Sequence, residues 1–387
     1  MHGGILAKRH LADTCHAGLE RLLPWTEARS WRPPARALQT KGVAHVTLPI
    51  LSLQLIASTI IILWGAHQLT RWADIIAEKT GLGRSFVGVL LLATATSLPE
   101  LGTGVSSILL VENGADLAMG AAFGSNLFNL VIICLLDVAW RQGPILAAVS
   151  GASVLVAGLG ILIISIACLA FVLPRAVTTI EGFPVSPVSL LVLALFVWAM
   201  HALFADDRVA TPRSTVEMRR RGGADAALIT AFVRYVIAAL IVIAGSIWLA
   251  KTGEGLVEQT GLEASFVGTQ FLALCTSLPE VATSLAALRI GAPDLALSNV
   301  LGSNLFNMGF VLFANDLAYV RGSIWSQISQ IHAFTGGIAI VMTGVVVVGL
   351  LRRQQPAAGR RKRVGRTEFF LLLALYLGAS FVVFRFG

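Results

Sequence analysis

From residue 46 onward the chain alternates long apolar stretches with short polar connections, most of them basic. A helix that crosses a bilayer needs about 20 mainly apolar residues. Ten stretches meet that length, at 46–66, 84–111, 116–138, 145–173, 185–205, 228–250, 264–288, 294–318, 328–351 and 367–386. The pattern predicts an all-α polytopic membrane protein with ten transmembrane helices. The first five fall in residues 45–205 and the last five in 228–387. A polar connection over 206–227, with Asp206-Asp207 and the Arg219-Arg220-Arg221 cluster, joins the halves and is expected to be cytoplasmic. Residues 1–44 form a basic leader around a Pro33-Pro34 pair and are expected to be disordered.

The two halves repeat one another. Residues 80–104 (TGLGRSFVGVLLLATATSLPELGTG) and 260–284 (TGLEASFVGTQFLALCTSLPEVATS) are identical at 15 of 25 positions. GSNLFN recurs at 124–129 and 302–307. TSLPE therefore sits on the second predicted helix of each half and GSNLFN on the third.

Composition agrees with this pattern. Hydrophobic residues make up 56% of the chain and charged residues 13%, against about 25% charged in soluble domains. The net charge of +8 lies between apolar runs, so it reports topology and not nucleic-acid binding. Cys15, Cys134, Cys168 and Cys275 show no paired spacing and are read as packing residues. Leader aside, the connections after stretches 1, 3, 5, 7 and 9 carry 18 Lys and Arg, the opposite side 4. The richer side is expected to be cytoplasmic, which puts both termini of the core outside. Five crossings per half then insert the second half in the opposite sense, giving inverted repeats. The seven basic residues of the leader oppose this orientation, so the leader is expected to be cleaved or absent in the working protein.

The repeats also carry the candidate chemistry. Glu100 and Glu280 lie mid-stretch, where an acid costs about 2.5 kcal/mol or more on insertion scales. A kinked helix with a protonated, hydrogen-bonded glutamate would account for one copy; two copies at the middle of two halves favour an ion pathway. Pro99 and Pro279 cannot donate an amide, which frees carbonyls near Ala95 and Thr96 in one copy and Ala273 and Cys275 in the other. Thr96, Ser97, Thr276 and Ser277 add hydroxyls. Oxygen ligands with two carboxylates suit a hard cation such as Ca²⁺ or Na⁺. In GSNLFN, Ser125 and Asn129 share one helix face, as do Ser303 and Asn307, and these are read as facing the ions. Gly124, Asn126, Gly302 and Asn304 are read as packing residues. Asp137 and Asp316, near stretch ends, are read as interfacial.

The doubled pattern G-x-x-x-x-A-x-x-TSLPE with GSN-x-F-N resembles the alpha repeats of the cation/Ca²⁺ exchanger superfamily, closest to the sodium/calcium exchanger branch with its prokaryotic members. The resemblance covers residues 46–386. It implies that the second, third, seventh and eighth helices hold the ions while the first and sixth slide across them. It implies a calcium site from Glu100, Glu280 and the Thr96 and Thr276 carbonyls. It places sodium sites at the Ala93 carbonyl, Ser97 and Ser125, and at the Ala273 carbonyl, Ser277 and Ser303, with Asn129 and Asn307 flanking the centre. Three positions depart from the family pattern. Ala95 and Cys275 replace a glycine, Asn307 stands where the potassium-dependent branch has aspartate, and Gly104 replaces a hydroxyl residue that Ser284 keeps. The first copy is thereby expected to have fewer oxygens.

The expected function is secondary active antiport of Ca²⁺ against Na⁺ by alternating access in the cell (inner) membrane. Two other readings stay open: a proton-driven antiporter of the same fold, and a cation channel. No enzyme is expected, because the sequence shows no nucleophile–base pair and no histidine cluster. No cofactor beyond the transported ions and no nucleic-acid partner is expected; lipid is the surrounding partner, and a monomer is compatible with the pattern. The charge asymmetry predicts that a cysteine at position 220 in intact cells resists a membrane-impermeant thiol reagent while one at the C-terminus reacts. The reverse labelling would invert the topology.

Overall fold

The computed structural model describes residues 47–80, 84–112, 114–149, 152–173, 185–210, 225–320, 322–354 and 367–387. The leader and residues 211–224 of the central connection lie outside them. Every regular element among the described residues is a helix. They are α1 (Leu48–Thr80), α2 (Arg84–Leu110), α3 (Gly114–Ala139), α4 (Ala152–Leu169), α5 (Pro187–Ala210), α6 (Asp225–Thr260), α7 (Ala264–Arg289), α8 (Pro293–Ala318), α9 (Ile331–Gln354) and α10 (Thr367–Phe386). Each falls on one predicted stretch. Seven are long and apolar enough to cross a membrane, and α4 and α5 contain shorter apolar helices, Ser153–Leu169 and Pro187–Leu203.

The central helices are enclosed and the outer ones expose apolar surface, with a cluster of polar side chains set inside the apolar core. In α3 and α8, 83% of the most apolar window is buried, against 28% in α1, 22% in α6 and 17% in α10. Leu53 and Ile60 of α1, Leu240 of α6 and Phe381 of α10 are exposed, while Asn126, Asn129, Ser303 and Asn307 are fully enclosed. So large an exposed apolar surface matches lipid as solvent. Inside it, small residues bring helices close, as membrane packing requires. A Cβ on Gly124 of α3 would lie 2.4 Å from the Thr269 carbonyl oxygen of α7, and one on Gly268 would lie 2.4 Å from the Leu117 oxygen. Helices α3 and α7 therefore touch backbone to backbone.

Helices α1 and α6 run well past the apolar runs that predicted them, to 33 and 36 residues. At 1.5 Å per residue each is about 50 Å long, against a hydrocarbon core of about 30 Å. Their extensions continue because Leu69 and Ala73 of α1 and Leu256 of α6 are buried beyond the uniformly apolar segments. The two pack antiparallel: Gly65 meets Val242, Gly245 meets Ile62, and Gly255 meets Leu51. As one number rises the other falls.

Asp137 and Asp316, read as interfacial, stand at the ends of α3 and α8 and are buried within the protein. Each accepts a backbone amide eight residues on: Asp137 from Ile145 at 2.8 Å, Asp316 from Ile324 at 3.0 Å. Asp316 also accepts the Ser186 amide at 2.7 Å. Each opens a short 3₁₀ turn, Ile145–Ala147 or Ile324–Ser326, so α4 begins later than the run from 145 predicted. Cys134, Cys168 and Cys275 are free thiols.

The tight α3–α7 contact predicts that Gly124→Ala lowers stability by about 1–3 kcal/mol through overpacking, read as a lower melting temperature in detergent. Gly378→Ala on α10, with no atom of a described neighbour within 4 Å, is expected to leave it unchanged or raise it.

Candidate ion-binding site

Four central helices bring the repeated residues to one place. Helix α2 contributes Thr96, Ser97 and Glu100; α7 contributes Thr276, Ser277 and Glu280; α3 contributes Ser125 and Asn129; α8 contributes Ser303 and Asn307. None of these side chains is more than 1% exposed.

The hydrogen bonds come in matched pairs, two pairs crossing between the halves and one pair with a bond inside each half. Ser277 donates to Glu100 Oε1 at 3.1 Å, and Ser97 donates to Glu280 Oε1 at 3.3 Å. Ser125 donates to Glu100 Oε1 at 3.4 Å, and Ser303 donates to Glu280 Oε1 at 3.0 Å. The Ser125 hydroxyl lies 3.3 Å from that of Thr276, and Ser303 lies 3.3 Å from Thr96. Exchanging the two copies maps each contact onto its partner, as a two-fold axis between them requires. The TSLPE and GSNLFN copies of both halves thus build one site.

The other carboxylate oxygens differ. Glu100 Oε2, Glu280 Oε2 and both amide atoms of Asn129 and Asn307 are buried without a hydrogen-bond partner among the described residues. Unpaired buried polar groups each cost about 1–3 kcal/mol, and charged ones more. The two carboxylates also repel one another. No cation stands beside them among the described residues, nor any group of three or more His, Cys, Asp or Glu that would hold a resident metal. Four buried oxygens without a partner, two of them carboxylate and two amide, are of the chemical type that a hard cation takes, and the serine hydroxyls hold the carboxylates in place.

The backbone is less symmetric than the side chains. Helix α7 breaks at Ser277, whose φ of −88° and ψ of 3° leave the helical region. Helix α2 runs through Pro99 without interruption. Helix α7 also contains a π-helical stretch, Val267–Leu272, and α8 another, Asn307–Val311. The α3 counterpart of the second stretch lies inside a regular helix. Such wide turns recur at functional sites, and here they belong to the second half only.

Among the carbonyls, that of Ala273 already accepts the Ser277 amide at 3.0 Å and the Thr276 hydroxyl at 3.3 Å. Ala93 lies on α2 where side-chain surroundings fall outside the described residues. Asn304 packs as expected, donating to the Asn126 carbonyl at 3.2 Å, whereas the Asn126 amide has no partner among the described residues. Two residues escaped the sequence reading. Asn299 donates to Thr283 at 2.8 Å and Ser284 at 3.0 Å. Asn315 sits against Gly104, where a Cβ would lie 2.5 Å from its Oδ1. The first copy itself has one hydroxyl fewer, and the glycine makes room for an amide from α8 of the other half. An asparagine in an apolar run was the available signal for both.

Known proteins share this fold and its sequence pattern. The profile of the family described as sodium/calcium exchanger protein matches residues 50–201 and 230–386. The putative antiporter CaxA of Alkalimonas amylolytica is 26% identical over 334 residues, covering 84% of this chain and 96% of its own. The crystal structure of the H⁺/Ca²⁺ exchanger CAX superposes with a TM-score of 0.64 at 11% identity, over 87% of this chain and 85% of that one. The sodium-calcium exchanger NCX_Mj superposes with a TM-score of 0.52 at 20% identity, over 85% of this chain and 98% of that one. At these identities the two structures share the fold.

Proposed function

The chain belongs to the sodium/calcium exchanger protein family, and from that premise we propose that it is a secondary active antiporter exchanging Ca²⁺ for Na⁺ across the cell (inner) membrane. The observation that carries this reading is the crossed network in which Glu100 and Glu280 each keep one carboxylate oxygen bare beside Asn129 and Asn307. Two carboxylates neutralise one Ca²⁺, and the amide oxygens and neighbouring Thr96 and Thr276 carbonyls extend the coordination toward the six to eight oxygens that Ca²⁺ takes. Ser97 and Ser125 on one side, and Ser277 and Ser303 on the other, supply neutral oxygens for Na⁺. Both loads use the same carboxylates, so they exclude one another, and that exclusion couples the exchange.

The topology proposed for this function is ten spans in two inverted five-helix repeats with the core termini outside. The antiparallel packing of α1 on α6, the first helices of the two halves, supports it. So does the two-fold exchange of site contacts. Alternating access then follows from movement of the long α1–α6 pair across the enclosed four-helix core, in preference to a continuous pore. A proton-driven antiporter remains the second reading, since the fold is shared with the H⁺/Ca²⁺ exchanger CAX. In that case Glu100 and Glu280 would carry the protons. ⁴⁵Ca²⁺ uptake into proteoliposomes under imposed Na⁺, K⁺ or H⁺ gradients separates the readings: uptake that follows only the H⁺ gradient would replace sodium with protons.

Removing one of the two charges leaves Ca²⁺ uncompensated in a low-dielectric site. Glu100→Gln and Glu280→Gln are therefore expected to fold and to lose Ca²⁺ transport, and near-parental ⁴⁵Ca²⁺ uptake by either would refute the site. Asn307 offers an oxygen without a third charge. Exchange is accordingly expected to be independent of K⁺ and, with three Na⁺ per Ca²⁺, electrogenic. Flux in vesicles with and without K⁺, at several clamped potentials, checks both.

A further inference from the structure

Beyond the carboxylates, a second set of buried oxygens lies on α2 and α8. Glu100, Thr103 and Ser107 are spaced i, i+3 and i+7 and share one face of α2. Ser107 lies about 10 Å from Glu100 along the axis, or about two turns. Thr103, Ser107 and Asn315 are all 0% exposed. The Thr103 and Ser107 hydroxyls and both amide atoms of Asn315 have no hydrogen-bond partner among the described residues. Asn315 enters from α8 against Gly104, between Thr103 and Ser107 in sequence. The π-helical stretch Asn307–Val311 lies between Asn307 and Asn315. A wide turn rotates less per residue than an α-helical one, which brings Asn315 toward the face that carries Asn307. The stripe is thus continuous with the central site.

The other copy lacks this stripe. The counterparts of Thr103 and Gly104 are Thr283 and Ser284, and both hydroxyls there accept the Asn299 amide. The counterpart of Ser107 is Ala287. The residue matching Asn315, one before the paired Asp137 and Asp316, is Leu136. One copy has its polar groups tied together and an apolar residue opposite; the other has them bare and an amide opposite.

We propose that Thr103 Oγ1, Ser107 Oγ and Asn315 Oδ1 form a second cation site, which holds a monovalent cation of the Na⁺ class in transit between the carboxylates and the membrane face at the α2–α3 connection. The ligands are hard oxygens and all neutral, which suits a monovalent ion; a buried Ca²⁺ needs carboxylates for charge balance. The two glutamates supply the attraction that draws a cation along the stripe. The site rests on the antiporter reading above, since it loads an ion that the exchange consumes.

The test uses the full chain in proteoliposomes. Na⁺-driven ⁴⁵Ca²⁺ flux is measured against Na⁺ concentration, and Ca²⁺–Ca²⁺ self-exchange against Ca²⁺ concentration. Asn315→Leu installs the residue of the other copy, and Thr103→Val removes a hydroxyl at nearly constant volume. Both are expected to raise the half-saturating Na⁺ concentration about five-fold, the size of one lost neutral ligand of hydrogen-bond strength. Half-saturation for Ca²⁺ in self-exchange is expected to stay as in the parent, and Thr103→Ser to restore the parental Na⁺ dependence. Transport with unchanged Na⁺ half-saturation in Thr103→Val, as a merely water-filled pocket would give, overturns the site. So does a parallel shift for Ca²⁺, which would mark a structural effect. A parent without Na⁺-driven flux would instead refute the sodium reading of the central site, and this one with it.

Discussion

Two acidic side chains enclosed at the centre of an apolar molecule set the terms for everything around them. Glu100 and Glu280 repel one another and lie out of reach of bulk water, where charge is poorly screened and costly to hold. The four central helices meet this constraint only in part. Serine hydroxyls from both halves satisfy one oxygen of each carboxylate and leave the other buried without a partner among the described residues. Satisfying all four oxygens from the protein would have produced a stable polar core with no affinity for an ion. Half-satisfaction keeps the carboxylates oriented and their charge available.

The packing follows from that centre. Polar groups of α2, α3, α7 and α8 can converge only if the helices approach closely, and Gly120, Gly124 and Gly268 allow α3 and α7 to touch at the backbone. Two further buried carboxylates, Asp137 and Asp316, fix where the chain turns after α3 and α8 by holding the amides of Ile145 and Ile324. They therefore anchor the ends of the two helices that carry the site asparagines. The long α1–α6 pair stands outside this arrangement, more open to lipid and joined by small residues along its length. An enclosed interior beside a longer, more exposed pair is the arrangement on which the proposed alternating access rests.

The departures from two-fold symmetry matter as much as the symmetry. An exchanger with identical halves would present the same geometry to both membrane faces. Among the described residues the second half carries the break at Ser277 and both π-helical stretches, while the bare hydroxyls of Thr103 and Ser107 belong to the first half and face the second half's Asn315 across Gly104. Gly104, which on sequence grounds reads as a lost hydroxyl, is the position that admits Asn315.

The sequence by itself located the ten helices of the described residues, because each rests on a long apolar run. It also singled out the candidate site residues, because acids, prolines and asparagines are costly in apolar runs and appeared twice in register. Their enclosure at one centre agrees with that reading. Tertiary structure alone decided which oxygens of those residues remain bare, since that depends on hydroxyls reaching across from the other half at separations near 180 residues. It decided that Asp137 and Asp316 are buried anchors, because their amide partners come from the following turn and not from the helix itself. It decided that the Ala273 carbonyl is occupied, since the break at Ser277 directs both an amide and the Thr276 hydroxyl onto it. It decided the length of α1 and α6, whose extensions are held by each other and not by an apolar run. And it decided the meaning of Gly104, because a glycine's role lies in the neighbour that fills its space, and that neighbour, Asn315, stands 211 residues away in the chain.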